Sequence, residues 1–340
     1  MSERRIRSID LALQGGGAHG AFTWGVLDRL LDEQRLSIDG LSGTSAGAMN
    51  AVVFADGWVA GGRDGARRAL QKFWRAVSVQ ANYSPMRRSP LDMLFGRWSL
   101  DSSPAALMMD LWSRMVSPYE FNPLNLNPLR ALLSAQVDFD RVRRCSSPRL
   151  FVTATNVRSG KARIFRAAEL NADAVMASAC LPFLFQAVEI DGDAYWDGGY
   201  MGNPALLPLV EETDSRDLVI VQINPIHRDE VPRTSRDILN RLNEITFNAS
   251  LIKEVRTLWS VRQLIADAGL DRRRYKDMRL HRIHAEGELH SLGESSKLSA
   301  EWLFLKHLHD VGWRAADQWL ARSFNHLGRR TTIDVEKLYL

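Results

Sequence analysis

Short apolar runs with a period of two alternate along this chain with longer stretches of helical period, which is the texture of an α/β protein. Over residues 8–14, Ile9, Leu11 and Leu13 alternate about a small Ala12, predicting a core strand that ends in Gly15-Gly16-Gly17-Ala18-His19-Gly20. Phe22, Val26, Leu27, Leu30 and Leu31 then fall on one side of a predicted helix. A second apolar piece leads into Leu41-Ser42-Gly43-Thr44-Ser45-Ala46-Gly47. Residues 46–60 read as a small-residue, buried helix, and residues 61–79 as a more polar one with Leu70, Phe73, Trp74 and Val77 facing inward. The alternation over 149–156 predicts another strand, followed by a turn at Ser159-Gly160 and a short strand over 162–165. A small-residue helix over 171–180 is stopped by Pro182, and residues 188–190 and 194–196 form a hairpin across Asp191-Gly192. Leu218 to Gln222 is the strongest buried-strand signal. The pattern is then helical from 233 to about 271, strand-like over 278–284, and amphipathic helical over 300–325.

Between Tyr83 and Arg130 the texture changes, with Pro85, Pro90, Met93, Trp98, Met108 and Trp112 among many Pro, Met and Trp residues. Prolines break this stretch into short helical pieces, and it reads either as an acyl-binding cap or as an insertion packed on its own small core. The chain divides on this reading into an α/β unit over 1–230, carrying the 83–130 stretch, and a mainly helical region over 231–340 packed on it. The apolar stripes of the latter read as core or oligomer contact, with attachment to a lipid interface as the lesser alternative. No internal repeat or low-complexity tract is present.

Composition narrows the class. With 340 residues, 45% hydrophobic and 25% charged, the chain reads as a globular protein large enough for one α/β domain with accessories, or for two domains. A net charge of +4 is too weak to argue for nucleic acid, and Arg272-Arg273-Arg274-Tyr275 reads as a solvated helix end. The same balance is compatible with weak attraction to anionic lipid headgroups. Cys145 and Cys180 lack metal-ligand spacing and read as free or buried thiols in a reducing compartment, so a cytoplasmic location is expected. Residues 1–7 are charged with no long apolar run behind them, so no secretory signal is expected. No apolar run reaches the roughly 18 residues that would span a bilayer, so membrane contact, if any, is expected to be peripheral and reversible.

The chemistry centres on Ser45. Gly43 and Gly47 flank it in the G-x-S-x-G spacing, so a strand can double back into a helix there and leave the hydroxyl exposed on a strained corner. A small-residue turn without chemistry has the same composition. The glycine loop before the first helix can hold negative charge, either as a dinucleotide fingerprint through Gly15, Gly17 and Gly20 or as an oxyanion hole for Ser45. The first use needs an acidic residue near Asp39, which stands at the wrong end of the next strand for a ribose; the second explains why two glycine turns end adjacent strands. Asp197, before Gly198-Gly199, is either a turn residue or a general base whose removal from water raises its proton affinity. A rival scheme draws His227, His281 or His284 into a Ser-His-Asp triad of α/β-hydrolase type. A third makes the chain a nucleotide-binding regulator.

Four features together resemble the patatin-like phospholipases: Gly15-Gly16-Gly17-Ala18-His19-Gly20; Gly43-Thr44-Ser45-Ala46-Gly47; Ala177-Ser178 with Pro182 and Phe185; and Asp197-Gly198-Gly199 with Asn203-Pro204. The resemblance implies a three-layer α/β/α fold with a central, mostly parallel sheet and, here, a helical C-terminal extension. It also implies a Ser-Asp dyad of Ser45 and Asp197, an oxyanion hole from the Gly15, Gly16 and Gly17 amides, and cleavage of lipid acyl esters without metal or cofactor. The expected partner is a lipid or other acyl ester. The family loop usually carries Arg or Lys where His19 stands, so His19 is expected to meet substrate and to make oxyanion or headgroup binding pH-sensitive.

Overall fold

The computed structural model describes residues 6–82, 88, 98–100, 103, 108, 115–271, 274–289 and 292–340. Most of the expected cap over 83–130, including Pro85, Pro90, Met93 and Trp112, lies outside the described residues, as do Arg272 and Arg273.

Eight strands form one sheet: β1 (Arg7–Leu13), β2 (Leu36–Gly43), β3 (Arg149–Asn156), β4 (Ala162–Arg166), β5 (Val188–Ile190), β6 (Asp193–Asp197), β7 (Asp217–Val221) and β8 (Arg279–Ile283). Their order is β5-β6-β3-β2-β1-β7-β8, with β4 paired to β3 off this path. The five strands from β3 to β8 in that order are parallel, whereas β4, β6 and β5 join antiparallel. Alternation along the central strands explains why both faces are covered. Leu11, Leu13, Val219, Val221, Leu150 and Val152 point into one core, while Ala12, Leu218, Ile220 and Phe151 point into the other.

The first core is roofed by α1 (Gly20–Asp32), the early part of α2 (Ala46–Ala81), α3 (Ala172–Ser178) and α5 (Trp302–Ser323). The second is roofed by α4 (Ser235–Asp267) with the short helices Leu207–Glu212 and Val335–Tyr339. The result is the three-layer α/β/α arrangement. The two helices expected over 46–79 run as one element that breaks at Gly61-Gly62, where Gly62 takes φ 58°. The Asp191-Gly192 turn has positive φ at both residues, 52° and 83°, as a tight two-residue hairpin requires.

The boundary near residue 230 is crossed by both sheet and core. β8 adds to β7 as the edge strand, and α5 seats on α1 so closely that a Cβ at Gly25 would collide with the His309 carbonyl and one at Gly312 with that of Phe22. No helix among the described residues is long and apolar enough to cross a membrane.

Register places the chemistry at one edge of the sheet. Leu13 lies opposite Gly43 and Val221, and Gly43 opposite Val152, so the carboxyl ends of β1, β2 and β7 finish together. β6 arrives from the other direction with Asp197 opposite Ala154 of β3. Two residues beyond Gly43 and Val152 are Ser45 and Ala154, which brings Ser45 and Asp197 to the same level. Clefts outside the carboxyl ends of parallel strands are where α/β sheets bind ligands.

Candidate active site

Ser45 turns the corner between β2 and α2 with φ 56° and ψ −121°, a region L-residues rarely occupy and one that costs on the order of 1–3 kcal/mol. Its neighbours enforce the conformation. A Cβ at Gly47 would collide with the Leu13 carbonyl oxygen, and one at Gly43 would lie 2.5 Å from the Gly47 oxygen, so both positions admit only glycine. The Thr44 hydroxyl donates to the Gly202 carbonyl at 2.5 Å, and the Ser178 hydroxyl accepts from the Ser45 N–H at 2.9 Å. Within the run 40–57, Ser45 alone is not fully buried. The corner therefore presents one hydroxyl above the N-terminus of a long helix.

Asp197 closes β6 and is fully buried. Its N–H donates to the Cys180 carbonyl at 2.8 Å, its carbonyl accepts from the Thr155 hydroxyl at 2.8 Å, and its Oδ1 accepts from Gly199 N–H at 2.7 Å. Glycine at 198 is required because a Cβ there would collide with the Thr153 carbonyl; that same Cβ would stand 3.0 Å from Thr44 Cγ2, next door to Ser45. Burial pushes the Asp197 carboxyl up to about 7, against the opposing pull of the Gly199 N–H, the Ser45 hydroxyl and the Lys297 ammonium. Ser45 is thus close enough to act on Asp197, yet the two do not form a closed hydrogen bond, because Oδ2 is buried without a partner. Resting catalytic pairs are often this loose. The same carboxylate, after burial, helps push Cys180 up to about 12, so that buried thiol stays protonated.

The glycine loop lies against the corner. A Cβ at Gly15 would stand 2.7 Å from Ser45 Cβ, and Gly17 adopts φ 56°. Gly15 differs from the other two expected oxyanion donors because its N–H is already committed to Asn203 Oδ1 at 2.7 Å. The Gly16 and Gly17 amides make no hydrogen bond to a described residue. The loop is anchored by Gln14, whose Oε1 accepts from the Ile223 and Asn224 N–H groups, both at 2.9 Å, and whose Nε2 donates to Asn248 Oδ1 at 3.1 Å. Asn224 Nδ2 in turn donates to the Gly15 carbonyl at 3.0 Å.

His19 departs from expectation. It is 3% exposed, packed edge-on to Phe304, with Nε2 2.7 Å from Ser296 Oγ. Because that hydroxyl donates its own proton to the Gly293 carbonyl at 2.6 Å, Nε2 must be the donor. Burial and then the Lys297 charge push the imidazole down to about 3, so it is neutral at physiological pH. The expected substrate contact and pH-sensitive headgroup binding at His19 are corrected accordingly: the ring is a buried strut.

Of the three histidines of the rival triad, His284 follows β8 with Nδ1 4.0 Å from Glu286 Oε2, and the other two are engaged away from Ser45. His281 is fully buried between Asp217 at 3.0 Å and Thr332 at 2.8 Å, and Asp217 is the first residue of β7, at the end of the sheet away from Ser45. The His227 side chain is 85% exposed beside Asp229. Asp39, the candidate ribose ligand, accepts from the Asp214 and Ser215 N–H groups at 2.6 and 2.9 Å and so serves as a turn anchor. Both cysteines are buried and unbridged. No group of three or more His, Cys, Asp or Glu among the described residues is arranged to hold a metal ion.

Sequence reasoning passed over Gln14, Asn224, Ser296 and Lys297. Gln14 carries the one available signal, a polar residue ending an otherwise apolar strand. The profile of the patatin-like phospholipases matches residues 11–210. The chain belongs to the patatin-like phospholipase family. That family span encloses Gly15 to Gly17, Ser45, Ser178, Asp197 and Asn203, and ends before Asn224 and the turn that carries Ser296 and Lys297. Among solved structures, VipD from Legionella pneumophila is similar at 16% identity with a TM-score of 0.44, covering 93% of this chain and 67% of that one. No curated protein gives a significant match.

Proposed function

We propose that this chain is a serine acyl hydrolase that cleaves carboxylic esters of lipids, in the manner of a phospholipase A or lysophospholipase, through Ser45 and Asp197. The observation that carries the reading is a strained, solvent-reachable serine beside a fully buried carboxyl that titrates near neutrality. A hydroxyl is a weak nucleophile until a neighbour accepts its proton, and a carboxylate with its affinity raised to about 7 can do so without histidine.

Ser45 Oγ attacks the ester carbonyl carbon as its proton passes to Asp197 Oδ2, the carboxylate oxygen with no other partner. The developing oxyanion is held by the Gly16 and Gly17 amides. Collapse of the tetrahedral adduct breaks the bond to the alkoxy oxygen, which leaves as an alcohol or lysolipid with the proton from Asp197. Water then attacks the acyl-enzyme while giving a proton to Asp197, and collapse releases the carboxylic acid and returns that proton to Ser45. Apolar surface suits an acyl chain here: Phe183, 64% exposed, lies on the loop after Cys180, and Met201, 41% exposed, follows the Asp197 turn. In this reading the enzyme acts in the cytoplasm and meets lipid peripherally.

The test is hydrolysis of a panel of phospholipid, lysolipid and neutral acyl esters by wild type, Ser45→Ala and Asp197→Asn. Wild type should release fatty acid from at least one class, and both variants should lose 1,000-fold or more, on the order seen when serine hydrolase machinery is removed. Full turnover by Ser45→Ala would end the reading.

A further inference from the structure

The turn Glu294–Leu298 lies far outside the span shared with the family, yet it is built into the glycine loop. A Cβ at Gly17 would come within 2.5 Å of the Lys297 carbonyl oxygen, so the left-handed glycine is held by this turn as much as by its own chain. Ser296 holds the other end of the loop through His19. The Lys297 side chain, 18% exposed, donates from Nζ to Asn224 Oδ1 at 2.8 Å and to Glu294 Oε1 at 2.5 Å. Asn224 passes the constraint on to the Gly15 carbonyl. Lys297 therefore joins a ring of contacts through the segment whose next two amides are the oxyanion donors, and its charge reaches both His19 and Asp197.

We propose that Lys297 is a positioning residue of the hydrolytic site, which fixes the glycine loop and brings a positive charge to the loop that flanks Ser45. The inference rests on the Ser45–Asp197 reading above and assigns a role to the C-terminal region within it. The other groups that bear on Asp197 are the Ser45 hydroxyl, the Gly199 N–H, the Cys180 thiol and the Tyr200 phenol, of which the last two are pushed up to about 12 and stay neutral while Asp197 titrates. Among the described residues Lys297 is thus the cation acting on this carboxylate, and Glu294 is its ion-pair partner.

The sign follows from which form of Asp197 each change favours. Losing the ammonium destabilises the carboxylate, so in Lys297→Met the acidic limb of kcat/KM against pH should move up by about half a unit. Lys297→Arg keeps the charge and should restore the wild-type midpoint. Glu294→Gln leaves the ammonium less neutralised and should move the midpoint the other way. The measurement is kcat/KM for p-nitrophenyl butyrate from pH 5 to 9 on the full chain, with fluorophosphonate labelling of Ser45 run alongside. A Lys297→Met midpoint equal to wild type, or a Lys297→Arg midpoint displaced as far as Lys297→Met, overturns the proposal. Were Lys297→Met to misfold, an unmoved midpoint in Glu294→Gln would overturn it equally. Failure of the underlying reading looks different: Ser45→Ala would then remain active or labelled whatever happens at position 297.

Discussion

At the scale of single residues, the site pairs two local costs. Ser45 sits at φ 56°, and Asp197 sits in a fully buried position where its proton is held up to about pH 7. The first cost can be relieved without restoring chemistry. Ser45→Gly and Ser45→Ala should be equally inactive, but Ser45→Gly should unfold at higher denaturant because glycine accepts that backbone, a difference of about 1 kcal/mol. For Asp197 the direction is set by linkage. The folded protein keeps the proton to about pH 7 while the unfolded chain loses it near 3.8, so stability falls as pH rises through that window and stays low above it. Asp197→Asn should therefore melt above wild type at pH 8, converge with it near pH 3, and be inactive throughout. In an active wild type the same proton sets the acidic limb of kcat/KM near pH 7, since only the ionised carboxylate can accept from Ser45.

At the scale of elements, close approach of backbones explains why the corner, the strand end and the outer helix carry glycine where they do. Gly25 shows this away from the active site: Gly25→Ala would drive a methyl into the His309 carbonyl of α5. Denaturant unfolding should register a loss of at least about 2 kcal/mol for it, because backbone must move to make room. The elements themselves were legible because period-two and helical-period apolar patterns are local: β1, β3, β7 and the Asp191-Gly192 hairpin all stand within a residue or two of expectation. The G-x-S-x-G and Asp-Gly-Gly segments were legible for the same reason, since each announces a backbone turn. The partners of the glycine loop were not. Gln14, Asn224 and Lys297 meet only when β1, β7 and the Glu294–Leu298 turn are folded together, and nothing in the spacing of one polar side chain reports a neighbour 73 or 210 positions away. His19 misled because sequence gives its place in the loop but not the direction of its ring, which Phe304 and Ser296 determine.

At the scale of the whole molecule, sheet and core ignore the division near residue 230. β8 pairs with β7, and α5 covers α1 and the face that holds Leu11 and Leu13. A chain ended at residue 230 would leave both faces of the sheet short of cover, so it should lack a cooperative thermal transition and collect in the insoluble fraction, while the full chain unfolds cooperatively. The three-layer class could be read from the alternation of strands and helices, but the sheet order could not, because β8 and α5 return to the N-terminal unit from the far end of the chain. What this architecture accomplishes is to bring two residues 152 positions apart, Ser45 and Asp197, to one level of one sheet edge, beside a loop with amides to spare. The most direct test of that meeting is covalent labelling with a fluorophosphonate probe, followed by peptide mass spectrometry. The account predicts a single adduct on Ser45, absent in Ser45→Ala and strongly slowed in Asp197→Asn. An adduct on another residue, or labelling of Ser45 at an undiminished rate in Asp197→Asn, would contradict it.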